Sequence, residues 1–319
     1  MNHGANPPGT PAATGSRPAD AGGTGLLTIA FGHRRYARMA VDLARSIRLR
    51  DPATPLAVAT DLDATFFRGC FEHVVPWHAR YASYFERKFD LGAMSPFDRT
   101  LFLDADCLVL RPLADVFAAF DDHDFSVAGR NPTRPWWFSA PEAVRAVVER
   151  PSYPGFNGGL LHFRRTPTSD AVFARARSLV PRYDDLGLAR LPDGGINDEP
   201  LFSIAMAELG GRAVENDRLG IFFGPRLGAL AIDVLGGTCE IPRDGRVLRP
   251  MVCHFEGSDK ERPAYARERL RLAVNATLGR VPRVLAAPVA AAGLGRWALE
   301  RVAARGARAL RRLRTDARA

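Results

Sequence analysis

The sequence predicts an α/β protein with a mostly parallel central sheet and helices on both of its faces. Three observations carry that expectation. Short apolar runs alternate with segments of helical spacing through the first hundred residues. The most apolar short run, LFLDADCLVL at 101–110, lacks the in-and-out alternation of a half-solvated strand, as suits a central strand buried on both sides. The chain has 319 residues, 46% apolar and 25% charged, which is long enough for a sizeable core and ordinary for a globular protein.

In order, LLTIAFG (26–32) reads as a buried strand, and YARMAVDLARSIRLR (36–50) as a helix through Met39, Val41, Leu43, Ile47 and Leu49. PLAVATD (55–61) is a second strand ending on an acid, and FEHVVPW (71–77) a third. YASYFERKFDLGAM (81–94) has helical spacing, SPFDR (95–99) turns the chain, and 101–110 follows as one strand. Beyond it the order is mixed. DFSVAGR (124–130) and GLLHFRR (159–165) read as strands, SDAVFARARSLV (169–180) and NDEPLFSIAMAELG (197–210) as helices, and several short strands lead to MVCHFEG (251–257). There is no internal repeat, and α/β order followed by mixed order suggests one large domain.

The ends differ in character. Residues 1–25, rich in Gly, Pro and Ala, read as disordered and lack the apolar core of a signal peptide. With no apolar run of membrane-spanning length, the expected location is the cytoplasm. Cys70, Cys107, Cys239 and Cys253 are scattered without metal-ligand spacing and read as reduced and mostly buried. From Arg280 onward ten arginines against Glu300 and Asp316 account for +8 of the +9 net charge, so the remainder is near neutral. Residues 281–319 read as helices. In the last of them an apolar face (Leu299, Val302, Leu310, Leu313) opposes an arginine face (Arg301, Arg305, Arg308, Arg312), the pattern of an interfacial helix on an anionic membrane. A helix docked on the chain's own surface is the main rival, and nucleic acid ranks third.

Asp104 and Asp106 follow LFL, where a strand of an open α/β sheet meets its ligand. In a strand, residues two apart face one side. Two carboxylates about 5 Å apart then repel by roughly 3 kcal/mol at an effective dielectric near 20. A divalent cation removes that repulsion, and hard cations prefer carboxylate oxygens. The plainer alternatives are solvated loop acids, or one acid paired with Arg111. D-x-D after a strand serves two chemistries: an aspartyl nucleophile at Asp104 in a phosphatase or phosphotransferase, or a metal that binds a nucleotide-sugar diphosphate. Leu108, where the phosphatase pattern wants Thr or Val, and the hundred residues before the motif favour the second.

With its companions in order, the chain resembles a GT-A glycosyltransferase of family 8, the glycogenin and bacterial lipopolysaccharide hexosyltransferase group. SPFDRTLFLDADCLVL carries the D-x-D, and GFNGGLLHF (155–163) is similar to the family's Asn-small-Gly strand. NDEPLF (197–202) stands in the place of its Asp-Gln pair, and HFEGSDK (254–260) matches H-x-x-G-x-x-K. The resemblance covers about residues 26–260. It implies a GT-A fold over a catalytic domain of 26–280 and a hexose transferred from a nucleotide sugar, a UDP-hexose, to a carbohydrate or lipid-linked acceptor with retention of configuration. A catalytically inactive GT-A-like binding module is the non-enzymatic alternative.

Site roles follow from the same resemblance. Asp104, Asp106 and His254 would hold Mn²⁺ or Mg²⁺, the imidazole tilting preference toward Mn²⁺. Gly257 would let backbone approach the diphosphate, and Lys260 would carry charge to the β-phosphate as the nucleotide leaves. Asn157, Gly158 and Gly159 would face the sugar, unless they only turn the chain into a strand. Asp198 matches the sugar-binding acid. Glu199 departs from the family's usual Gln and would lie near the anomeric carbon, as electrostatic stabiliser or nucleophile. Helix capping by Asn197 with acids in the first turn explains the same residues structurally. Of Arg87 and Lys88, Lys88 is the expected donor contact. Tyr36 would border the uracil, with a core or capping tyrosine as the alternative, and Asp61 would meet the base or ribose. Trp136 and Trp137 with Arg134 offer an acceptor platform, or packing.

Overall fold

The structure is a computed structural model that describes residues 22–78, 81, 84–130, 144, 153–191, 193–215, 219–223, 231–243, 245–256 and 263–278. Its elements run β1 (Thr24–Ala30), α1 (Arg34–Arg48), β2 (Leu56–Thr60), β3 (His73–Pro76), α2 (Leu91–Met94), β4 (Arg99–Leu103), β5 (Cys107–Val109), α3 (Ala114–Ala119), β6 (Phe125–Arg130) and β7 (Gly155–Arg164). They continue with α4 (Pro167–Ser178), α5 (Asp198–Leu209), β8 (Arg212–Glu215), β9 (Ile221–Phe223), β10 (Ala231–Asp233), β11 (Thr238–Arg243), β12 (Arg246–Leu248), β13 (Val252–His254) and α6 (Pro263–Leu278). The chain forms two compact units. The first comprises the described residues of 22–40, 54–105 and 115–219, the second those of 41–53, 106–114 and 220–278.

The first unit is built on a seven-stranded sheet of order β3-β2-β1-β4-β7-β6-β8. β1 pairs in parallel with β2 and β4, β2 with β3, and β6 with β8. β7 pairs antiparallel with both β4 and β6, so it runs against the other strands of this mostly parallel sheet. β2 is buried along its whole length, and in β1 only Thr24 is exposed, which explains their continuous apolar character. Helices α4 and α5 belong to the aromatic core. Phe173 packs edge-on to Phe125 and Phe163 at 5.2 and 5.1 Å, and Phe202 lies 5.2 Å from Phe89. Such pairs contribute about 0.5–1.5 kcal/mol each beyond the area they bury. Both helices carry their own boundary signals. Thr166 caps α4 by accepting from Ser169 N, with Pro167 at the first position. Gly210 ends α5 at φ +94°, where a side chain would be strained.

The second unit holds two three-stranded sheets, β10-β11-β12 and β5-β13-β9. β13 is the middle strand of the latter, antiparallel to β5 and parallel to β9, with His254 opposite Cys107. The fully buried Glu268 of α6 accepts from Val234 N at 2.8 Å and pairs with Arg267 and Arg271 at 2.7 Å each, so its charge is compensated. None of the four cysteines is in a disulfide, and Cys107, Cys239 and Cys253 are buried. Among the described residues no helix is long and apolar enough to cross a membrane.

Two expected elements differ. The helix expected over 81–94 is a 3-10 turn, Phe85–Asp90, followed by the single α turn of α2. Asp90 there accepts from the Tyr81 hydroxyl at 2.5 Å and pairs with Arg177, side-chain bonds that a tight turn serves and a continuous helix would not. The single strand expected over 101–110 is two: β4 ends at Leu103, the chain turns through Asp104–Asp106, and β5 pairs in another sheet. The stretch reads as one run because both strands are buried. The first 21 residues and the tail 279–319 lie outside the described residues.

His162, on β7, is a titratable group enclosed in this core. It is fully buried, stacks on Phe120 at 5.0 Å and accepts from Arg99 Nε at 3.0 Å. Burial, with the charges of Arg99 and Arg164, lowers its pKa from 6.5 to about 3. The unfolded chain therefore binds the proton more readily. The stability this neutral imidazole contributes is fully present above pH 6.5 and is lost as pH falls toward 3. His162→Gln keeps an acceptor but cannot titrate. In urea unfolding between pH 6 and 4 the variant should lose up to one proton's slope, ~1.4 kcal/mol per pH unit; an unchanged slope would contradict the assignment.

Candidate functional site

The first unit gathers four segments around one ammonium. Lys88, in the 3-10 turn, is 2% exposed. Its Nζ lies 3.1 Å from Asp104 Oδ2, donates to Gly158 O at 2.8 Å and stands 3.6 Å from Asp198 Oδ2. Asp104 comes from the end of β4, Gly158 from β7 and Asp198 from the first turn of α5. Burial opposes the ammonium. The carboxylates of Asp104, Asp198 and Glu199 outweigh it and hold Lys88 above the usual lysine range. For Asp198, burial raises the pKa, Lys88 opposes that rise, and the charge of Asp104 adds to it.

The backbone of β7 is stitched into the same cluster. Gly158 N donates to Glu199 Oε1 at 2.7 Å, Gly159 N to Asn157 Oδ1 at 2.9 Å, and Asp104 N to Gly159 O at 3.0 Å. Asn157, Gly158 and Gly159 thus belong to the strand itself rather than to a turn before it. Asn197 caps α5 by accepting from Glu199 N at 3.1 Å, as its sequence position implies. Both acids of the first turn are buried as well, at 1% and 7% exposure, which capping alone does not require. Asp198 Oδ2 has no hydrogen-bond partner among the described residues, an acceptor available to a ligand's hydroxyl.

In the second unit His254 Nε2 lies 3.1 Å from Asp106 Oδ1, and Phe255 N donates to Asp106 O at 3.1 Å. Both side chains are buried. Ala105 alone separates Asp106 from Asp104 in the chain. Asp106 and His254 thus offer two ligand atoms 3.1 Å apart, and Asp104 stands two residues before Asp106 in the chain. The acids do not face one side of a strand, as period-two geometry would have it. β4 ends at Leu103, and both acids lie in the turn that follows it. Two carboxylates and an imidazole suit a divalent cation of intermediate hardness.

The remaining expected residues divide. Tyr36 stacks on Tyr84 at 5.3 Å, and its hydroxyl accepts from Arg35 at 2.6 Å. Asp61 accepts from Gly32 N at 2.7 Å and holds the left-handed turn after β1. Arg87, passed over in favour of Lys88, lies 5.0–5.3 Å from the rings of Phe31, Tyr81 and Tyr84. Its aromatic neighbours along 81–84 were the signal for that packing. Gly257, Lys260 and the Arg134–Trp136–Trp137 loop lie outside the described residues.

No protein-family model matches the sequence, and no curated protein sequence matches it. Solved structures do match. The galactosyltransferase LgtC, in complex with donor and acceptor sugar analogues, aligns with a TM-score of 0.50 at 16% identity, over 81% of this chain and 97% of that one. An active-site mutant of LgtC gives 0.50 at 17% identity over the same shares. Mouse xyloside xylosyltransferase 1, without ligand, gives 0.39 at 16% identity over 63% and 86%. The likeness to LgtC is one of fold, and the architecture is the GT-A fold.

Gly158 provides a direct test of the cluster. A Cβ there would lie 2.8 Å from Asp198 Oδ2, 3.1 Å from Lys88 Nζ and 3.4 Å from Glu199 Cγ. Gly158→Ala should cost about 1–3 kcal/mol in chemical denaturation through overpacking. Gly194→Ala, where nothing lies within 4 Å of the added carbon but φ is +82°, serves as the backbone-strain comparison.

Proposed function

We propose that this chain is a divalent-cation-dependent glycosyltransferase that moves a hexose from a nucleotide sugar, a UDP-hexose, to a carbohydrate or lipid-linked acceptor. The observation that carries the reading is the buried pairing of Asp106 with His254 at 3.1 Å, two residues along the chain from Asp104, which is itself held in the Lys88–Asp198 cluster. The shared fold with LgtC, a galactosyltransferase, supports the reaction class.

In this reading Asp104, Asp106 and His254 hold Mn²⁺, or Mg²⁺. The bound cation supplies positive charge to the diphosphate of the donor. Lys88 keeps Asp104 and Asp198 in place against their mutual repulsion. Asp198 Oδ2 accepts from a sugar hydroxyl, and Asn157, Gly158 and Gly159 form the wall along which the sugar lies. Glu199 is oriented by Gly158 N, so its carboxylate faces positive charge developing at the anomeric carbon. Its role is electrostatic, and retention of configuration follows from the family resemblance. Gly257 and Lys260 serve the β-phosphate. Tyr36, already part of an aromatic stack, borders the base, and Asp61 meets the ribose. The basic segment 281–319 attaches the protein to an anionic membrane surface from the cytoplasmic side, which suits a lipid-linked acceptor.

A screen of nucleotide sugars for Mn²⁺-dependent hydrolysis and thermal stabilisation tests the reading. At least one UDP-hexose should respond in both, and EDTA should abolish the turnover. Silence toward every donor in both assays would reject the proposal. Asp106→Asn should lower kcat/KM by about 100-fold or more, since a cation ligand is lost. Glu199→Gln should keep activity within roughly tenfold, as expected of an electrostatic role; a loss beyond about 1,000-fold would instead mark a nucleophile. For the tail, co-sedimentation with anionic vesicles should separate the full chain from residues 1–280, and equal behaviour would end the membrane assignment.

A further inference from the structure

Tyr265, in the first turn of α6, is fully buried, and its hydroxyl has no hydrogen-bond partner among the described residues. A buried hydroxyl without a partner destabilises a fold, so its retention asks for a state in which it is used. Its surroundings point to that state. The ring stacks on Phe255 at 4.5 Å and 24°, and the Arg269 guanidinium lies 5.3 Å from its centroid. Phe255 follows His254 directly and bonds through its N–H to Asp106 O. Tyr265 therefore packs on the strand end that presents both His254 and Asp106. Burial, then the neighbouring acids Asp106 and Asp42, raise its phenol well above the usual tyrosine range, with Arg269 opposing, so the group stays a proton donor.

The contact between His254 Nε2 and Asp106 Oδ1, 3.1 Å, needs a proton on that nitrogen. The buried hydroxyl of Tyr265, packed on the residue that follows His254, is a further donor of the kind a ligating carboxylate uses. We propose that Tyr265 is a positioning residue of the cation site, its hydroxyl donating to the Asp106 carboxylate in the cation-loaded protein. This rests on the cation-site reading above and concerns residues of the second unit alone. It is the outer support that ligating carboxylates commonly require.

The test is Tyr265→Phe, which removes one oxygen and keeps the stack on Phe255. Titration of the full chain with MnCl₂, followed by calorimetry and by the electron paramagnetic resonance signal of free Mn²⁺, should show affinity weakened about tenfold. The cation-free melting temperature should stay the same or rise, because the hydroxyl has no partner to lose. Two results would overturn the role: a Mn²⁺ affinity within twofold of the unaltered protein, or a fall in the cation-free melting temperature, which would reveal a partner in the empty state. Absence of Mn²⁺ binding by the unaltered protein would overturn the cation site itself, and this role with it.

Discussion

The first unit depends on one buried ammonium. Lys88 is nearly sealed from solvent, and removing such a charge from water costs several kcal/mol. That cost is offset only while the end of β4, the carbonyl of Gly158 and the first turn of α5 surround it together. Taking away one partner of a buried ion pair typically costs 3–5 kcal/mol, because the other charge is left uncompensated. Site geometry and fold stability are therefore one quantity here. The turn that carries Lys88 also carries Phe89, whose ring meets Phe202 of α5 at 5.2 Å, so the charge cluster and the core share these two elements.

The reversed strand β7 makes this arrangement possible. In an open α/β sheet, ligands gather at the carboxyl ends of the strands. A parallel neighbour of β4 would bring only its own carboxyl end there. β7 runs the other way, so its beginning, Asn157–Gly159, lies alongside the end of β4, where Leu103 pairs with Leu160 and Asp104 N bonds to Gly159 O. Backbone without side chains can then approach the carboxylates closely. The geometry around Gly158 shows how little room remains for even one methyl group.

The turn through Asp104–Asp106 performs a second task. By ending β4 and sending Cys107–Val109 into a different sheet, it places Asp106 beside the end of β13, and His254 comes with that strand. The acid pair is thus held by a break in the backbone rather than by pleat alternation. This explains how a run so apolar can carry two carboxylates: they occupy the single point where it leaves regular structure.

Much was legible in the sequence. Alternating apolar runs and helical spacings determined the order of elements through β3, since burial on both faces of a parallel strand demands continuous apolar residues. Asn197 before two acids and Pro200 determined the start of α5, since capping is local chemistry. The order of D-x-D, Asn-Gly-Gly, Asp-Glu and His marked the candidate site residues. Tertiary structure alone decided the rest. That residues 81–94 are not one helix follows from bonds to Tyr81 and Arg177 that no local spacing reveals. That 101–110 is two strands follows from pairing with β13, about 150 residues later. That Tyr265 packs beside the residue following His254 comes from the stack of its ring on Phe255. Periodicity and capping act within a few residues and leave their mark in the order of the chain. Strand pairing and the compensation of buried charge act between segments far apart, so only the folded molecule shows which partners they chose.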